Sequence, residues 1–211
     1  MPILANTLHA IASYPRVYDA IQRAAGRERI YGHIRDWVSR RSGSGFAIDV
    51  GGGTGATWSV LPCTVRHVCL DIERAKVIEY HRKYPHGAPI HADACHMPLA
   101  DACADLVLMV GVSHHLTDDQ FRKVLSEIRR ILNANGSFVF VDAVYAAARP
   151  ASRLLWAYDR GAHPRTDRAL RELLGEQLRI VESSTPSLWH HRYLVCLAEP
   201  SPLPPLSGAP S

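Results

Sequence analysis

The stretch Phe46-Ala47-Ile48-Asp49-Val50-Gly51-Gly52-Gly53-Thr54-Gly55-Ala56 joins an apolar run to a cluster of glycines. It reads as a buried strand, a tight turn and the start of a helix. Gly51, Gly53 and Gly55 have no Cβ, so the backbone can turn sharply there and come close to a ligand. The stretch predicts a nucleotide-binding loop. A glycine-rich turn without a ligand is the competing reading, and Gly51-x-Gly53-x-x-Ala56 also satisfies the dinucleotide pattern. The rest of the chain has to choose between ligands.

Upstream, Ile30, Ile34, Trp37 and Val38 recur at i, i+4, i+7 and i+8, which makes one apolar helical face within residues 1–41. Tyr14-Pro15-Arg16-Val17-Tyr18-Asp19 begins another helical piece through Ile21, and Ser42-Gly43-Ser44-Gly45 is a hinge into the first strand. These helices precede the glycine loop and are placed to cover it.

Downstream, the run from Val65 to Leu70 ends in Asp71, 20 residues beyond Gly51. An acid at the end of the second strand can accept hydrogen bonds from a ribose diol. It can equally cap a helix beginning near Ile72-Glu73. Ile90 to Ala94, with Asp93 inside it, reads as a third strand, and Ala104 to Gly111 as a buried fourth. Thr117-Asp118-Asp119-Gln120 has the form of a capping box. The helix it opens sets Phe121, Val124, Leu125, Ile128 and Leu132 on one face. Asn135-Gly136 ends that segment, and Ser137 to Val141 is a fifth strand. A helix from Asp167 to Leu178 follows, then an antiparallel edge pair, Leu178–Val181 and Tyr193–Leu197.

Strands alternating with helices predict an α/β, doubly wound, mostly parallel sheet, which binds ligands outside the carboxyl ends of its strands. Asp49, Gly51, Asp71, Asp93, Gly111 and Asp142 all fall at or near those ends. Their agreement carries more weight than any one of them.

The 211 residues, 47% apolar, suit one globular unit. The net charge of +4 is spread among acids, so nucleic acid is not indicated. Five cysteines without a Cys-x-x-Cys pair favour neither a disulfide framework nor a zinc cluster, which points to a reduced, cytoplasmic setting. No leader pattern or membrane-length apolar run is seen, so a protein that is neither exported nor membrane-bound is expected. The expected organisation is a helical cap over 1–45, a core over 46–198 with a cover segment at 144–178, and a proline-rich, disordered tail over 199–211. A proline-recognition ligand is the alternative reading of that tail.

In this order and spacing the motifs resemble those of class I AdoMet-dependent methyltransferases, particularly the small-molecule branch that includes quinone-biosynthesis enzymes. They are Ala47-Ile-Asp-Val-Gly-Gly-Gly-Thr-Gly55, Cys69-Leu-Asp-Ile72, Ala92-Asp-Ala94 with Met97-Pro-Leu, Asp105-Leu-Val through His114-His115-Leu116, and Leu125 through Gly136. The resemblance implies a Rossmann-like, seven-stranded sheet with the last strand inserted antiparallel. It implies S-adenosyl-L-methionine as cofactor, S-adenosylhomocysteine as product, and a small organic acceptor, as in specialised metabolism. Asp49 and Gly51, Gly52, Gly53 and Gly55 would then line the methionine and ribose portion. Asp71 would hold the ribose hydroxyls with Ile72 against the adenine, and Asp93 and the Ala94 backbone would meet the adenine edge. Gly111 would lie by the methionyl group, and Tyr18 would approach the cofactor end of the cavity.

Such a site mainly has to hold a nucleophile in line with an activated S–CH₃ bond. A base is needed only where the acceptor must lose a proton. His114 and His115, just after strand four, are the candidates, since an unperturbed imidazole titrates near pH ~6.5. Local packing is the alternative role for both. Tyr14, Tyr145, Trp156, Tyr158 and His163 are candidates for the acceptor pocket, because aromatic faces there could also stabilise the sulfonium. His190-His191 and Asp118-Asp119 read as a hairpin and a helix's first turn, and no metal site is expected.

Two rival functions remain. The glycine pattern admits an NAD(P)-dependent oxidoreductase, against which stands the lack of a Tyr-x-x-x-Lys pair. A non-catalytic AdoMet-binding accessory protein is the other. The acceptor, the atom methylated and the oligomeric state are not encoded in these motifs.

Overall fold

The computed structural model describes residues 27–41, 45–146, 163–188 and 191–201. Tyr14, Tyr18, Trp156, Tyr158, His190, the hinge residues 42–44 and the tail from residue 202 lie outside the described residues.

Helix α1 (Arg27–Arg41) leads into β1 (Phe46–Val50), and β2 (Arg66–Asp71), α2 (Arg74–Lys83) and β3 (Ala88–His91) follow. Next come β4 (Ala104–Val110), α3 (Asp118–Ile131) and β5 (Leu132–Val144), then α4 (Asp167–Gly175), β6 (Leu178–Ser184), β7 (Ser187–Leu188) and β8 (His191–Pro200). Seven strands run in the order β3-β2-β1-β4-β5-β8-β6, and the two-residue β7 pairs with β8. The first five are parallel, whereas β8 lies antiparallel between β5 and β6. This is the Rossmann-like sheet with an inserted antiparallel last strand that the motifs implied.

Alternation along the central strands divides the core into two layers. Leu106, Leu108, Val139, Val141, Val195 and Leu197 pack with Ile30, Ile34, Trp37 and Val38 of α1. Val107, Met109, Phe138, Phe140 and Cys196 face the other way, against Phe121, Val124, Leu125 and Ile128 of α3 and Leu170, Leu173 and Leu174 of α4. Each fully buried side chain of this size contributes about 1.5–3 kcal/mol, so these faces dominate the stability of both layers. Helix α3 begins at the expected capping box: the Thr117 hydroxyl accepts from the Gln120 amide, and the Gln120 side chain accepts from the Thr117 amide. Helix α1 is tied to β6 through Glu182, which accepts from the Trp37 indole (2.7 Å) and from Arg40 (3.1 Å).

Several local expectations are corrected. The glycine loop feeds a five-residue 3-10 helix, Ala56–Val60, rather than an α-helix, because Leu61 precedes Pro62 and is extended (φ −91°, ψ 139°). Strand β3 stops at His91, since the Asp93 side chain accepts from the Cys95 amide (2.8 Å) and turns the chain. Strand β5 begins at Leu132, because a register shift opposite Ala104 absorbs the Asn-Gly signal. Strand β8 runs two residues into the expected tail, through Glu199 and Pro200, which pair with Arg179 and Leu178. The helix expected to reach Leu178 ends at Gly175, and the edge strands β6 and β8 are longer than expected.

Candidate functional site

The register sets the strand ends side by side: Val50 opposite Leu70, Asp71 opposite His91, and Val110 opposite Val141. The loops leaving β1, β2, β3 and β4 therefore open at one edge of the sheet. The glycine loop is an extension of the ladder, with the Gly51 and Gly52 amides both donating to the Leu70 carbonyl at 2.7 and 3.2 Å.

Left-handed glycines shape this edge. Gly51, Gly53, Gly55 and Gly111 have φ of 69°, 57°, 80° and 68°, a region that L side chains rarely enter. Two of them are open among the described residues: there a Cβ at Gly111 would meet nothing within 4 Å, and one at Gly53 only the Lys76 and Asp71 side chains at 3.7 and 3.9 Å. The others are closed: a Cβ at Gly51 would lie 2.5 Å from Val112, and one at Gly55 would lie 2.7 Å from the rings of Tyr80 and Tyr84. Among the described residues, backbone is thus left uncovered after β1 and after β4, at the same edge of the sheet.

Asp71 is buried, and both its carboxylate oxygens accept backbone amides: Gly53 at 2.9 Å and Glu73 at 2.8 Å. The bond to Glu73 turns the chain ahead of α2 but does not cap it, because the N-cap of that helix is Glu73 itself, without a side-chain cap. A carboxylate offers about four acceptor sites, so capacity for a diol remains beside the loop it braces. Ile72, next in sequence, is 66% exposed, an unusual place for a large aliphatic side chain. The His91 ring meets the Ile72 carbonyl at 3.0 Å and fixes that turn. Asp93 is exposed on the neighbouring loop with Ala94 half-buried beside it.

Asp49 behaves differently. Its carboxylate is 1% exposed, accepts from the Thr57 hydroxyl and lies 3.8 Å from the His67 ring. It braces the loop from inside. The other nitrogen of His67 meets the buried Tyr80 hydroxyl at 2.7 Å, and Trp58 stacks on Tyr84 at 4.4 Å. An aromatic layer thus backs the glycine loop. Below it, burial pushes the Cys69 thiol well above its ordinary range, with Asp49 and Asp71 adding to the effect, so it is an inert thiol.

The β4–β5 side is made of side chains. His114 and His115 lie on a 3-10 turn, Ser113–His115, with their rings 4.1 Å apart. His114 Nδ1 is 2.7 Å from the carboxylate of Asp142, which also accepts from the Ser113 hydroxyl and from the His114 and Ala143 amides. Burial opposes charge on Asp142, but the bonds from His114, Ser113 and Ala143 outweigh it and hold the carboxyl below its ordinary range.

Arg165, from the described end of the cover segment, is 7% exposed. Its guanidinium donates to the Ser113 carbonyl (2.7 Å), the Leu116 carbonyl (2.6 Å) and the Asp118 carboxylate (2.8 Å), and lies over the Phe121 ring. His163, an expected pocket residue, donates its amide to the His114 carbonyl at 3.0 Å. Tyr145 donates its amide to the Arg165 carbonyl at 2.8 Å. Both therefore join the His114 neighbourhood through backbone.

The structure gathers Asp49, the loop glycines, Asp71, Ile72, Asp93 and Ala94 on the β1–β3 side, and sets Gly111 with His114, His115, Tyr145 and His163 on the β4–β5 side. The sequence did not single out Thr57, His67, Ser113 or Arg165. An acid closing the apolar strand β5 was the signal for Asp142, but Arg165 lies in His163-Pro164-Arg165-Thr166 and carries no local signature.

Comparison with known proteins agrees with this geometry. Residues 48–140 match the family described as methyltransferase domain. A curated relative, phthiotriol/phenolphthiotriol dimycocerosates methyltransferase of Mycobacterium tuberculosis, is 28% identical over 130 residues, covering 61% of this chain and 46% of the relative. The chain spans about half the length of the curated relatives it matches. Among solved structures, the N-methyltransferase NodS of Bradyrhizobium japonicum, in complex with S-adenosyl-l-homocysteine, is similar at a TM-score of 0.71 and 17% identity, over 93% of this chain and 97% of that one. Geranyl diphosphate C-methyltransferase of Streptomyces coelicolor is similar at 0.65 and 11% identity, over 82% of each chain. Residues 48–140 thus match a methyltransferase domain, and the fold of the chain is that of AdoMet-dependent methyltransferases.

Proposed function

We propose that this chain transfers a methyl group from S-adenosyl-L-methionine to a small organic acceptor. The observation that carries this is the pair of left-handed glycines, Gly53 and Gly111, which among the described residues leave backbone open after β1 and after β4 at one edge of the sheet. A nucleoside and an amino acid joined through sulfur need such close backbone approach at two separated points. The cofactor supplies the activated methyl on a sulfonium sulfur. Asp71 is offered for the ribose diol and Ile72 for the adenine face, with Asp93 and Ala94 at the adenine edge. Gly51, Gly52 and Gly55 shape the loop, and Asp49 supports it through Thr57.

The acceptor enters on the β4–β5 side, beside His114, His115, Tyr145 and His163. The relatives act on different acceptors: the names of two specify N- and C-methylation, and the mycobacterial enzyme is named for a lipid. A lipophilic small molecule, of the kind taken by quinone-type and specialised-metabolism enzymes, is the acceptor class we infer. The five free thiols support a reduced, cytoplasmic setting. Among the described residues no helix is long and apolar enough to cross a membrane.

Calorimetric titration of the full chain with AdoMet, S-adenosylhomocysteine and NAD(H) tests this reading. Binding of the first two and not the third is expected. Binding of NAD(H) alone would overturn it.

A further inference from the structure

We propose that His67 is a positioning residue that acts through Asp49: its proton sets the net charge beneath the glycine loop, and with it the preference for AdoMet, a sulfonium cation, over S-adenosylhomocysteine, a neutral thioether. The inference rests on the methyl-transfer reading above and names a regulation of that same site.

The Asp49 carboxylate is buried directly under the loop. A Cβ at Gly52 would lie 2.5 Å from its Oδ2, so no side chain stands between that charge and the loop backbone. Gly53, the next residue, is open among the described residues. Thr57 donates its hydroxyl to Oδ2, and His67 Nε2 lies 3.8 Å from the same oxygen, too far for a hydrogen bond. Nε2 is buried and has no hydrogen-bond partner among the described residues. A buried ring nitrogen without a partner is costly, and an apolar ring would fill the slot without that cost. What an apolar ring lacks is a charge to set against Asp49.

The surroundings accommodate both protonation states of the ring. Burial pushes the Tyr80 hydroxyl and the Cys69 thiol up, so both keep their protons near neutral pH. The Tyr80 oxygen lies 2.7 Å from His67 Nδ1 and 3.4 Å from the His67 carbonyl. With the ring neutral, Tyr80 donates to Nδ1 and the ring hydrogen sits on Nε2, facing Asp49. The opposite tautomer would set a lone pair against the carboxylate. With the ring protonated, Nδ1–H donates to the Tyr80 oxygen, whose own hydrogen turns to the His67 carbonyl. The Asp49–His67 pair thus passes from one net negative charge to none with every heavy atom in place. Among the described residues, the titratable groups around this ring are Asp49 on β1, Cys69 on β2, and Tyr80 and Tyr84 on α2, with Trp58 closing it edge-on. Asp71 and Lys76 stand at Gly53.

The two cofactor forms differ by one charge. Both carry the same nucleoside and amino-acid groups, so the ratio of their affinities isolates the sulfonium from other pH-dependent contacts. A neutral His67 leaves the Asp49 charge uncompensated, which attracts the cation, and a protonated His67 cancels it. The preference for AdoMet therefore rises with pH as His67 loses its proton. By linkage, bound AdoMet makes His67 harder to protonate. The product gains nothing from the same charge, so the pair favours exchange of product for fresh cofactor.

Calorimetric titration of the full chain with AdoMet and with S-adenosylhomocysteine between about pH 5 and 8 tests this. The ratio of the two dissociation constants is expected to shift about three- to tenfold toward AdoMet as pH rises, and to stay flat in His67→Gln. NMR of the wild type reads the same coupling without a variant, since the His67 ring can be assigned through its contacts with the Trp58 and Tyr80 rings, 5.1 and 5.5 Å away between centroids. AdoMet should lower the pH at which that ring protonates more than S-adenosylhomocysteine does. If His67→Gln does not fold, the wild-type ratio and the ring titration decide.

A flat ratio in wild type that binds both ligands, an equal shift in folded His67→Gln, or a His67 ring whose protonation responds alike to both ligands would each overturn the proposal. Failure of the wild type to bind AdoMet at any pH would strike the methyl-transfer reading instead, which separates the two.

Discussion

On the β1–β3 side of the sheet's carboxyl edge the crevice is shaped by backbone, and on the β4–β5 side by side chains. Gly51, Gly53 and Gly55 bend the first loop in left-handed conformations, and Asp71 reaches only 18 residues back to hold the Gly53 amide. On the other side, Arg165 reaches 52 residues to the Ser113 carbonyl, and Asp142 reaches 28 to His114. The two sides touch where Val112 packs at Gly51. A cofactor common to a whole family can be met by a loop shape, which a few glycines encode. An acceptor that differs from one family member to the next is met by side chains drawn from several elements.

The largest expected effect separates two kinds of glycine within the loop. A side chain at Gly55 would start 2.7 Å from the rings of both Tyr80 and Tyr84, in a left-handed conformation. Left-handed strain of about 1–2 kcal/mol and overpacking of about 1–3 kcal/mol should together cost Gly55→Val roughly 2–5 kcal/mol in denaturant unfolding. Gly53→Ala meets only strain, about 1–2 kcal/mol, because its Cβ enters open space. It should nevertheless lose AdoMet affinity sharply in calorimetry. If folded Gly53→Ala binds AdoMet as wild type does, the open backbone there does not serve the cofactor.

Next in size is Arg165→Met, which keeps the apolar stem and removes the guanidinium. Hydrogen bonds to charged groups are worth about 1.5–3 kcal/mol, and a loss of that order is expected in thermal or urea unfolding. The Ser113 and Leu116 carbonyls lose their buried donor, so turnover should fall while AdoMet affinity holds. An equal fall in AdoMet affinity would show that the two sides are one mechanical unit.

How much of this was legible follows the same division. The glycine loop, the acid ending β2, the capping box at Thr117 and the 3.6-residue face of α3 are local patterns, and each was read where it lies. The antiparallel insertion of β8 came from the resemblance, not from periodicity, since pairing partners are set by the whole sheet. Misread boundaries have local causes that a pattern does not display: Pro62 ends the helix after the loop early, and the shift between Ile180 and Glu182 hides the second half of β6. Asp49 was read as facing the ligand because it sits at a strand end. Strand parity instead puts it on the face of His67, where Thr57 takes it up. Arg165 had no signature because two of its partners are backbone carbonyls, which every residue carries, and its carboxylate partner, Asp118, lies 47 residues away.

A smaller effect tests Asp71, whose carboxylate holds the glycine loop on the backbone-built side. Asp71→Asn keeps an acceptor but replaces one carboxylate oxygen with an amide donor facing an N–H, at Gly53 or Glu73. A lost hydrogen bond of about 1 kcal/mol is expected in stability. A fall of about tenfold or more in AdoMet affinity should accompany it, since one such bond to a diol is worth that factor. Equal losses of stability and affinity would mean that Asp71 only braces the loop.

The smallest effect at neutral pH concerns the charge on Asp142, and its sign can be worked out. The folded carboxyl is held low because the bonds from His114, Ser113 and Ala143 outweigh the burial that opposes it. A depressed carboxyl contributes stability that is fully present above its unfolded value of about 3.9 and is lost as pH falls through its folded value. Wild type should therefore be flat in this contribution from neutral pH down to about pH 4 and weaken below it. Asp142→Asn has no charge to lose, so the gap between the two proteins, read as urea midpoints, should narrow only in that acid window. A gap that begins to close near neutral pH would assign the sensitivity to the histidines beside Asp142, and one that never closes would assign it to the shape of the four-donor cradle rather than to its charge.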